Sequence, residues 1–170
     1  MTHLENNSLK GVVSLDAESF IELSKQIDDS NFMLFEPDER NTSLEQQSKS
    51  IERILSEKKS MIFVAESEDE LVGFIAAFGG NVKRNQHSAY LVLGVLEEFQ
   101  GRGIVSKLFN QVFEWAKENE LSRLGLTVIK DNIKAFNLYR KMGFVLEGEK
   151  VHSLIINGEP VNEYYLYKLL

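Results

Sequence analysis

Residues 89–106 read Ala-Tyr-Leu-Val-Leu-Gly-Val-Leu-Glu-Glu-Phe-Gln-Gly-Arg-Gly-Ile-Val-Ser. The apolar run over residues 89–96 is rich in Val and Leu and predicts a strand, and the glycine segment 100–103 leads into a periodic helix. At such a helix start, unpaired backbone N–H groups and the positive end of the helix dipole favour a bound anion. The stretch therefore predicts a strand, a phosphate-binding glycine loop and a helix.

The predicted helix carries an apolar stripe that would hold the loop against a sheet. Its members recur at helical spacing, and they are Val105, Leu108, Phe109, Val112, Phe113 and Ala116. Because one face of the helix is apolar over its whole length, we expect it to pack on the sheet and to keep the loop rigid.

Other glycine motifs fit this loop less well. A nucleotide P-loop needs Gly-Lys-Ser/Thr, whereas Val105-Ser106-Lys107 puts no glycine before the lysine. A dinucleotide fingerprint needs Gly or Ala at position 106, where this chain has serine. A glycine turn that only begins a helix stays open as an interpretation when the loop is considered alone.

Composition predicts a single domain over residues 1–170, with residues 1–10 flexible. The hydrophobic content of 43% suits a globular core, and the net charge of −7 argues against a nucleic-acid partner. The chain has no cysteine, which removes disulfides and thiolate metal sites, and we expect no metal. No apolar run of about 18 residues is present, so we expect no membrane partner and a cytoplasmic protein.

The element order predicted along the chain is β-α-α-β-β-β-α-β-α-β-β. A helix of crossover length joins the strand at 89–96 to the next strand, so these two strands should be parallel. Interior Gly94 indicates either a bulge or close approach by a ligand, and we favour the ligand. The predicted segments are strands at 11–15, 61–65, 71–78, 124–129, 144–156 and 160–169, and helices starting at Asp16, at the capping box Thr42-Ser43-Leu44-Glu45, and at Asp131-Asn132.

Two motifs and this order resemble the GNAT-type N-acetyltransferase superfamily. Gln100-Gly101-Arg102-Gly103-Ile104-Val105 is similar to its acyl-CoA pyrophosphate loop, Gln/Arg-x-x-Gly-x-Gly/Ala, with Val105 where Gly or Ala is usual. Asn132-x-x-Ala135-x-x-Leu138-Tyr139-x-x-x-Gly143-Phe144 is similar to its third motif. The resemblance implies a single-domain, GNAT-like α/β fold. Its mixed, mostly antiparallel sheet would have a central splayed parallel strand pair and helices on both faces.

The resemblance also implies acetyl-CoA as co-substrate. Its pantetheine arm would enter the wedge between the splayed strands and pair with the backbone of the central one. The implied cofactor-binding residues are Leu93, Gly94, Val95, Gln100, Gly101, Arg102, Gly103, Ile104, Val105, Ser106, Asn132 and Tyr139. Lys107 and Lys134 are further candidates for phosphate contacts.

Acetyl transfer to an amine makes three chemical demands. The attacking amine must lose a proton, the developing oxyanion needs an N–H donor, and the leaving thiolate needs an acid. A bulged central strand near residues 93–95 would supply the donor. Tyr139 matches the family's usual general acid, although a tyrosine simply packed on the sheet remains an alternative.

The base and the acceptor-binding groups are less defined by the sequence. Many relatives carry a glutamate on the central strand, which is absent here. The loop 31–41 mixes apolar and acidic residues, and such loops often carry binding groups. His87, whose imidazole suits a base near neutral pH, the weaker candidates Glu36, Glu39 and Glu163, or ordered water that relays the proton to several of them could act as the base. The candidate substrate residues are Phe35, Glu36, Glu39 and His87.

The sequence thus predicts an acetyl-CoA-dependent N-acetyltransferase. Its acceptor would be a primary amine, whether a small amine, a polyamine-like cation or a protein N-terminus. A non-catalytic acyl-CoA-binding or sensing module is the alternative. The sequence leaves a homodimer open.

Overall fold

The computed structural model describes residues 7–30 and 32–170 of the chain. Its seven-stranded sheet has the order β1-β2-β3-β4-β5-β7-β6. The strands are β1 (Asn7–Gly11), β2 (Ser60–Ser67), β3 (Glu70–Gly79), β4 (Ser88–Val95), β5 (Arg123–Ile129), β6 (Val145–Ile156) and β7 (Glu159–Leu169). The helices are α1 (Ala17–Asp28), α2 (Leu44–Ser56), α3 (Ile104–Glu118) and α4 (Ile133–Lys141). The predicted element order is confirmed.

The neighbouring strands β4 and β5 form the parallel pair of an otherwise antiparallel sheet. Their ladder has three register pairs, from Ser88 opposite Arg123 to Tyr90 opposite Gly125. Beyond that point residues 91–95 and 126–129 do not pair with each other, so the strands splay and leave a wedge. The predicted sheet, with its central splayed pair, is confirmed.

Helices cover both faces of the sheet because alternate strand residues enter two separate cores. Phe63 and Ala65 of β2 pack with α3, whereas Ile62 and Val64 pack with α1 and α2. Side chains of α4 join the first core. We call these two sides the α3 face and the α1 face.

The N-terminal segment differs from the prediction. The strand expected at 11–15 lies at Asn7–Gly11, and Ser14–Asp16 forms a 3-10 turn. Residues 7–10, expected to be flexible, therefore pair with β2, while residues 1–6 lie outside the described part. Lys10 forms ion pairs with Asp16 and Glu66. These contacts fix a polar segment whose composition alone gave no strand signal.

The capping box of α2 is shifted by one residue from the predicted Thr42–Glu45 pair. The Ser43 hydroxyl accepts a hydrogen bond from the Gln46 N–H at 3.2 Å, and the Gln46 side chain accepts one from the Ser43 N–H at 2.9 Å. Ser43 and Gln46 satisfy the same reciprocal pattern as Thr42 and Glu45, so the sequence is compatible with two capping boxes that overlap. Among the described residues, no helix is long and apolar enough to cross a membrane.

Candidate functional site

The glycine loop opens α3 as the sequence predicts. Gly101 and Gly103 have φ angles of 76° and 80°, in the left-handed region that favours glycine. A Cβ on either residue would meet no atom within 4 Å, so the loop surface is open. The Lys107 N–H donates to the Gly103 carbonyl at 3.1 Å, and the helical N–H groups before it have no acceptor within the helix. This geometry suits a bound anion.

Gln100 connects the loop to β4 and α4. Its Nε2 donates to the Val95 carbonyl at 3.1 Å, and its Oε1 accepts from Lys134 Nζ at 3.1 Å. Of the neighbouring residues, Ile104 is buried and Val105 packs partly against the core. The Arg102 guanidinium lies 5.1 Å from the Phe99 ring centroid. Ser106 is half-buried, and Lys107 is exposed. The predicted loop residues therefore gather at one end of the wedge.

The edge of β4 that faces the wedge follows from strand alternation. The Leu96 N–H donates to the Val72 carbonyl and the Ser88 carbonyl accepts from the Gly80 N–H, so even-numbered β4 residues bond to β3. Odd-numbered residues turn their backbone groups the other way. Where the strands have splayed, Leu93 and Val95 thus present backbone groups to the wedge.

Gly94 lies in a regular part of the β3–β4 ladder and packs against α1. The β3–β4 ladder runs without interruption from Gly73 opposite Val95 to Gly79 opposite Ala89, so the expected bulge is wrong. A Cβ on Gly94 would lie 2.8 Å from Ile27 Cγ2 and 3.0 Å from Ile27 Cδ1. Its backbone groups face β3, and its lack of a side chain admits α1. The structure thus gives Gly94 a packing role, and the ligand approach that we favoured stays a prediction.

Tyr139 lies on α4, and its ring packs on the α3 face. Its centroid is 5.7 Å from that of Phe109 and 6.5 Å from that of Phe144. Burial, and secondarily the charge of an ionised Tyr90, raises the pKa of Tyr139 to about 12. Within residues 7–30 and 32–170, no group hydrogen-bonds its hydroxyl. The two predicted roles are thus compatible, since the ring packs and the hydroxyl keeps its proton.

Asn132 caps α4, in agreement with the helix start expected at Asp131-Asn132. Its Oδ1 accepts a hydrogen bond from the Ala135 N–H at 3.3 Å. This cap places Asn132 in the turn between β5 and α4, three residues after the end of β5 at Ile129, where β5 no longer pairs with β4. A contact with pantetheine stays a prediction.

The loop between α1 and α2 is held by a buried ion pair. Arg40 donates from Nε to Asp28 Oδ2 at 2.6 Å and from Nη2 to Asp28 Oδ1 at 3.2 Å, and Asp28 is 1% exposed. The Arg40 guanidinium also lies 4.4 Å from the Phe35 ring centroid. The Glu39 carboxylate accepts from the Glu36 N–H at 2.8 Å and so closes a turn.

This loop and the end of β6 line a cavity on the α1 face. Its lining residues are Met33, Leu34, Phe35, Glu36 and residues 154–156. Phe35 and Glu36 both line this cavity, whereas the Glu39 carboxylate closes the turn; substrate contacts by these residues stay a prediction.

His87 is not brought to the wedge. It is exposed and precedes β4 at the closed end of the parallel pair, where its carbonyl accepts from the Ser122 and Arg123 N–H groups. Leu93 is six positions further along the chain, about 20 Å along a strand. Glu163 lies opposite Ile129 in the β5–β7 ladder, at the level where the wedge is open.

A side-chain hydrogen bond that the sequence did not predict spans the wedge. Tyr90 on β4 and Thr127 on β5 lie with their hydroxyl oxygens 2.7 Å apart. Strand alternation was the signal that could have found the pair, because both residues alternate with core positions and so share the α1 face. In the described part of the chain, no group of His, Asp and Glu side chains suits a metal ion.

Comparisons with known proteins agree with this geometry. The model of the acetyltransferase (GNAT) family matches residues 25–144. Spermidine N(1)-acetyltransferase of Escherichia coli K12 is 31% identical over 101 residues, which cover 59% of this chain and 53% of that protein. L-amino acid N-acetyltransferase AaaT of the same organism is 30% identical over 110 residues, 62% of this chain and 66% of that protein. The chain thus matches only part of the length of these relatives.

Solved structures share the fold at low sequence identity. A GNAT-family acetyltransferase of Streptococcus pneumoniae superposes with a TM-score of 0.93 at 23% identity, over 97% of this chain and all of that one. A phosphinothricin acetyltransferase of Sinorhizobium meliloti, solved in complex with AcCoA, gives 0.85 at 17% identity, over 96% and 88% of the two chains. The match of the family model over most of the chain, together with this shared fold, shows that the protein belongs to the acetyltransferase (GNAT) family.

Proposed function

We propose that this protein transfers the acetyl group of acetyl-CoA to a primary amine. The observation that carries the proposal is the arrangement of three groups around one wedge. These are the open glycine loop at the start of α3, the outward-facing backbone of Leu93 and Val95, and the protonated phenol of Tyr139. Membership of the family supports the same reaction.

The residues at the wedge fit an acyl-CoA. The helical N–H groups at the start of α3 would bind the pyrophosphate, with Lys134 and Arg102 nearby as cations. A pantetheine arm carries amide groups, and the backbone edge offers the N–H groups of Leu93 and Val95 and the carbonyl of Leu93, since the Val95 carbonyl already accepts from Gln100. Acetyl-CoA supplies an activated acyl group, and the chain's own residues position it.

Two residues would then assist the chemistry. The N–H of Leu93 or Val95, and not that of Gly94, can donate to the negative charge that develops on the attacked carbonyl oxygen. The Tyr139 hydroxyl keeps its proton through the neutral and mildly alkaline range and can give it to the departing thiolate. The loss of hydration around Tyr139 thus favours its acid form.

We propose a cationic amine as the acceptor. On the α1 face, Glu36 and Glu163 form no ion pair with any other described residue. Arg40 and Arg123 are already engaged by Asp28 and Glu147, which leaves Lys150, opposite Glu163, as the local basic group. The net charge of −7 also attracts cations. A small polyamine therefore suits this face better than an acceptor with a free carboxylate.

The test is release of free thiol from acetyl-CoA in the presence of an amine panel, with mass spectrometry of the products. The panel holds a polyamine, several α-amino acids and peptides with free N-termini. We expect amine-dependent thiol release, fastest with the polyamine. Acetyl-CoA binding without thiol release for every amine would instead favour a non-catalytic acyl-CoA-binding module.

A further inference from the structure

The hydrogen bond between Tyr90 and Thr127 lies where the wedge closes. Tyr90 is the last β4 residue in the parallel ladder and faces Gly125, and Thr127 is two residues further along β5. Gly125 has no side chain between them, and the two hydroxyl oxygens lie 2.7 Å apart. The pair therefore bridges the two strands just beyond their last backbone pairing.

Both hydroxyl groups lie on the α1 face, opposite Tyr139. Val92, two residues from Tyr90, packs with the α1 core, whereas Leu126 and Val128, which flank Thr127, enter the α3 core. Tyr90 is 44% exposed, so a ligand on this face can reach its hydroxyl. One phenol thus lies on each side of the opening.

The pair lies where the reaction needs a group to accept the proton of the acceptor amine. The thioester is at the far end of the pantetheine arm from the pyrophosphate, so it would lie toward the closed end of the wedge. An amine arriving from the α1 face would then meet Tyr90 and Thr127. No glutamate or histidine occurs on β4, and His87 lies beyond its closed end.

We propose that Tyr90 and Thr127 carry away the proton that the acceptor amine must lose. This inference rests on the proposed function. The amine N–H gives its proton to the Tyr90 oxygen, the Tyr90 proton passes to the Thr127 oxygen, and the Thr127 proton passes to solvent water. Each hydroxyl loses one proton and gains one, and the net result is one proton transferred from the amine to water. A hydroxyl can donate and accept at once, which such a relay needs.

Other titratable groups surround the pair, and the acceptor amine supplies the expected pH dependence. The titratable groups on the neighbouring elements are Tyr139 on α4, Arg123 on β5, Glu163, Tyr165 and Tyr167 on β7, and Asp28 at the end of α1. Arg123 and Asp28 are held in ion pairs with Glu147 and Arg40.

The decisive variant is Tyr90→Phe, which keeps the ring and removes the hydroxyl. At pH 7 a lysine-like amine with a pKa of about 10.4 is almost fully protonated. We expect kcat/KM for this amine to fall about tenfold or more, with acetyl-CoA affinity unchanged by calorimetry. The loss should shrink as the pH rises, and also at pH 7 with amines of lower basicity, because a neutral amine needs no relay.

Matched variants separate the relay from a structural role. Thr127→Val removes the second hydroxyl at nearly equal volume and should reproduce the loss, whereas Thr127→Ser should keep the wild-type profile. Tyr167→Phe, a hydroxyl deletion on the same face, is the control. If Tyr90→Phe does not fold, the comparison of Thr127→Val with Thr127→Ser still tests whether the relay operates.

Two results would overturn the relay. One is an unchanged kcat/KM in both Tyr90→Phe and Thr127→Val. The other is an equal loss at every pH and with every amine, which would make the hydroxyls positioning groups only. If the wild-type protein acetylates no amine at all, the proposed function fails first, and that outcome is distinct from both.

Discussion

The two sides of the wedge are built in different ways. On the α3 side, the groups available to a ligand are backbone groups of the glycine loop and of the β4 edge. On the α1 side, side chains from distant segments meet, as in the Arg40–Asp28 and Tyr90–Thr127 pairs. A ligand common to a family can be bound by conserved backbone geometry, whereas a variable acceptor needs side chains that can change without altering the fold. Under the proposed function, the first side binds acetyl-CoA and the second binds the acceptor.

Tyr139→Phe gives the largest expected effect and tests whether the α3 side contributes a chemical group besides backbone. Removal of the phenol hydroxyl should lower kcat by about 10²- to 10⁴-fold, the range of general acid catalysis, and leave acetyl-CoA affinity nearly intact. Single-turnover measurements should be used so that the chemical step is observed. Tyr164→Phe, also a partly buried tyrosine on the α3 face, is the control. An unchanged chemical step would leave Tyr139 with a packing role alone.

Gly94→Ala tests whether the centre of β4 is shaped by α1 or by a ligand. The added Cβ would lie 2.8 Å from Ile27 Cγ2, so we expect a loss of about 1–3 kcal/mol in the free energy of unfolding. The same substitution should cost less in an Ile27→Ala background, because the contacting atoms are gone. Denaturant unfolding of the four proteins gives the coupling energy. Additive effects would contradict the packing role of Gly94.

Gly103→Val tests the backbone-built side directly. The side chain would project into the open space above the loop, and a left-handed φ of 80° would be strained for valine. We expect acetyl-CoA affinity to fall about tenfold, which corresponds to about 1.4 kcal/mol. Gly158→Val is a matched control, since Gly158 has a φ of 79° and equally open surroundings in the β6–β7 turn. Equal affinities for the two variants would remove the loop from the site.

The smallest expected effect concerns charge on the acceptor side. If Glu36 and Glu163 attract a cationic amine, kcat/KM should fall a few-fold as ionic strength rises to about 0.15 M, where the screening length is about 8 Å. The double variant Glu36→Gln with Glu163→Gln should flatten this dependence. Glu114→Gln with Glu118→Gln, which removes two exposed charges from α3, should leave it unchanged. A rate independent of salt in the wild-type protein would argue against a cationic acceptor.

The sequence predicted the α3 side well because its signals are local. Glycines in the loop, the apolar stripe of α3 and the spacing from Asn132 to Tyr139 each reflect structure within a few turns of chain. The crossover length of the helix between them likewise predicted that β4 and β5 are parallel.

The rest depended on contacts between distant segments. Ile27, which packs against Gly94, lies 67 positions earlier in the chain. No local pattern showed this contact, so the glycine was interpreted as a place where a ligand approaches. The Tyr90–Thr127 pair forms across 37 positions, and neither residue is unusual alone. His87 was proposed from its side-chain chemistry, but its level in the sheet places it away from the wedge. Residue type thus indicated which side chains could serve the site, and the register of the strands decided which of them lie at the wedge.

The most direct test of the wedge as the acetyl-CoA site is backbone amide exchange along β4, measured by NMR with and without acetyl-CoA. Even-numbered amides already bond to β3, whereas Leu93 and Val95 face the wedge. We expect acetyl-CoA to slow exchange at Leu93 and Val95, and in the loop at Gly103 and Ile104, with little change at Val92 and Gly94. Binding that leaves the Leu93 and Val95 amides unprotected would contradict the proposed placement of the pantetheine arm.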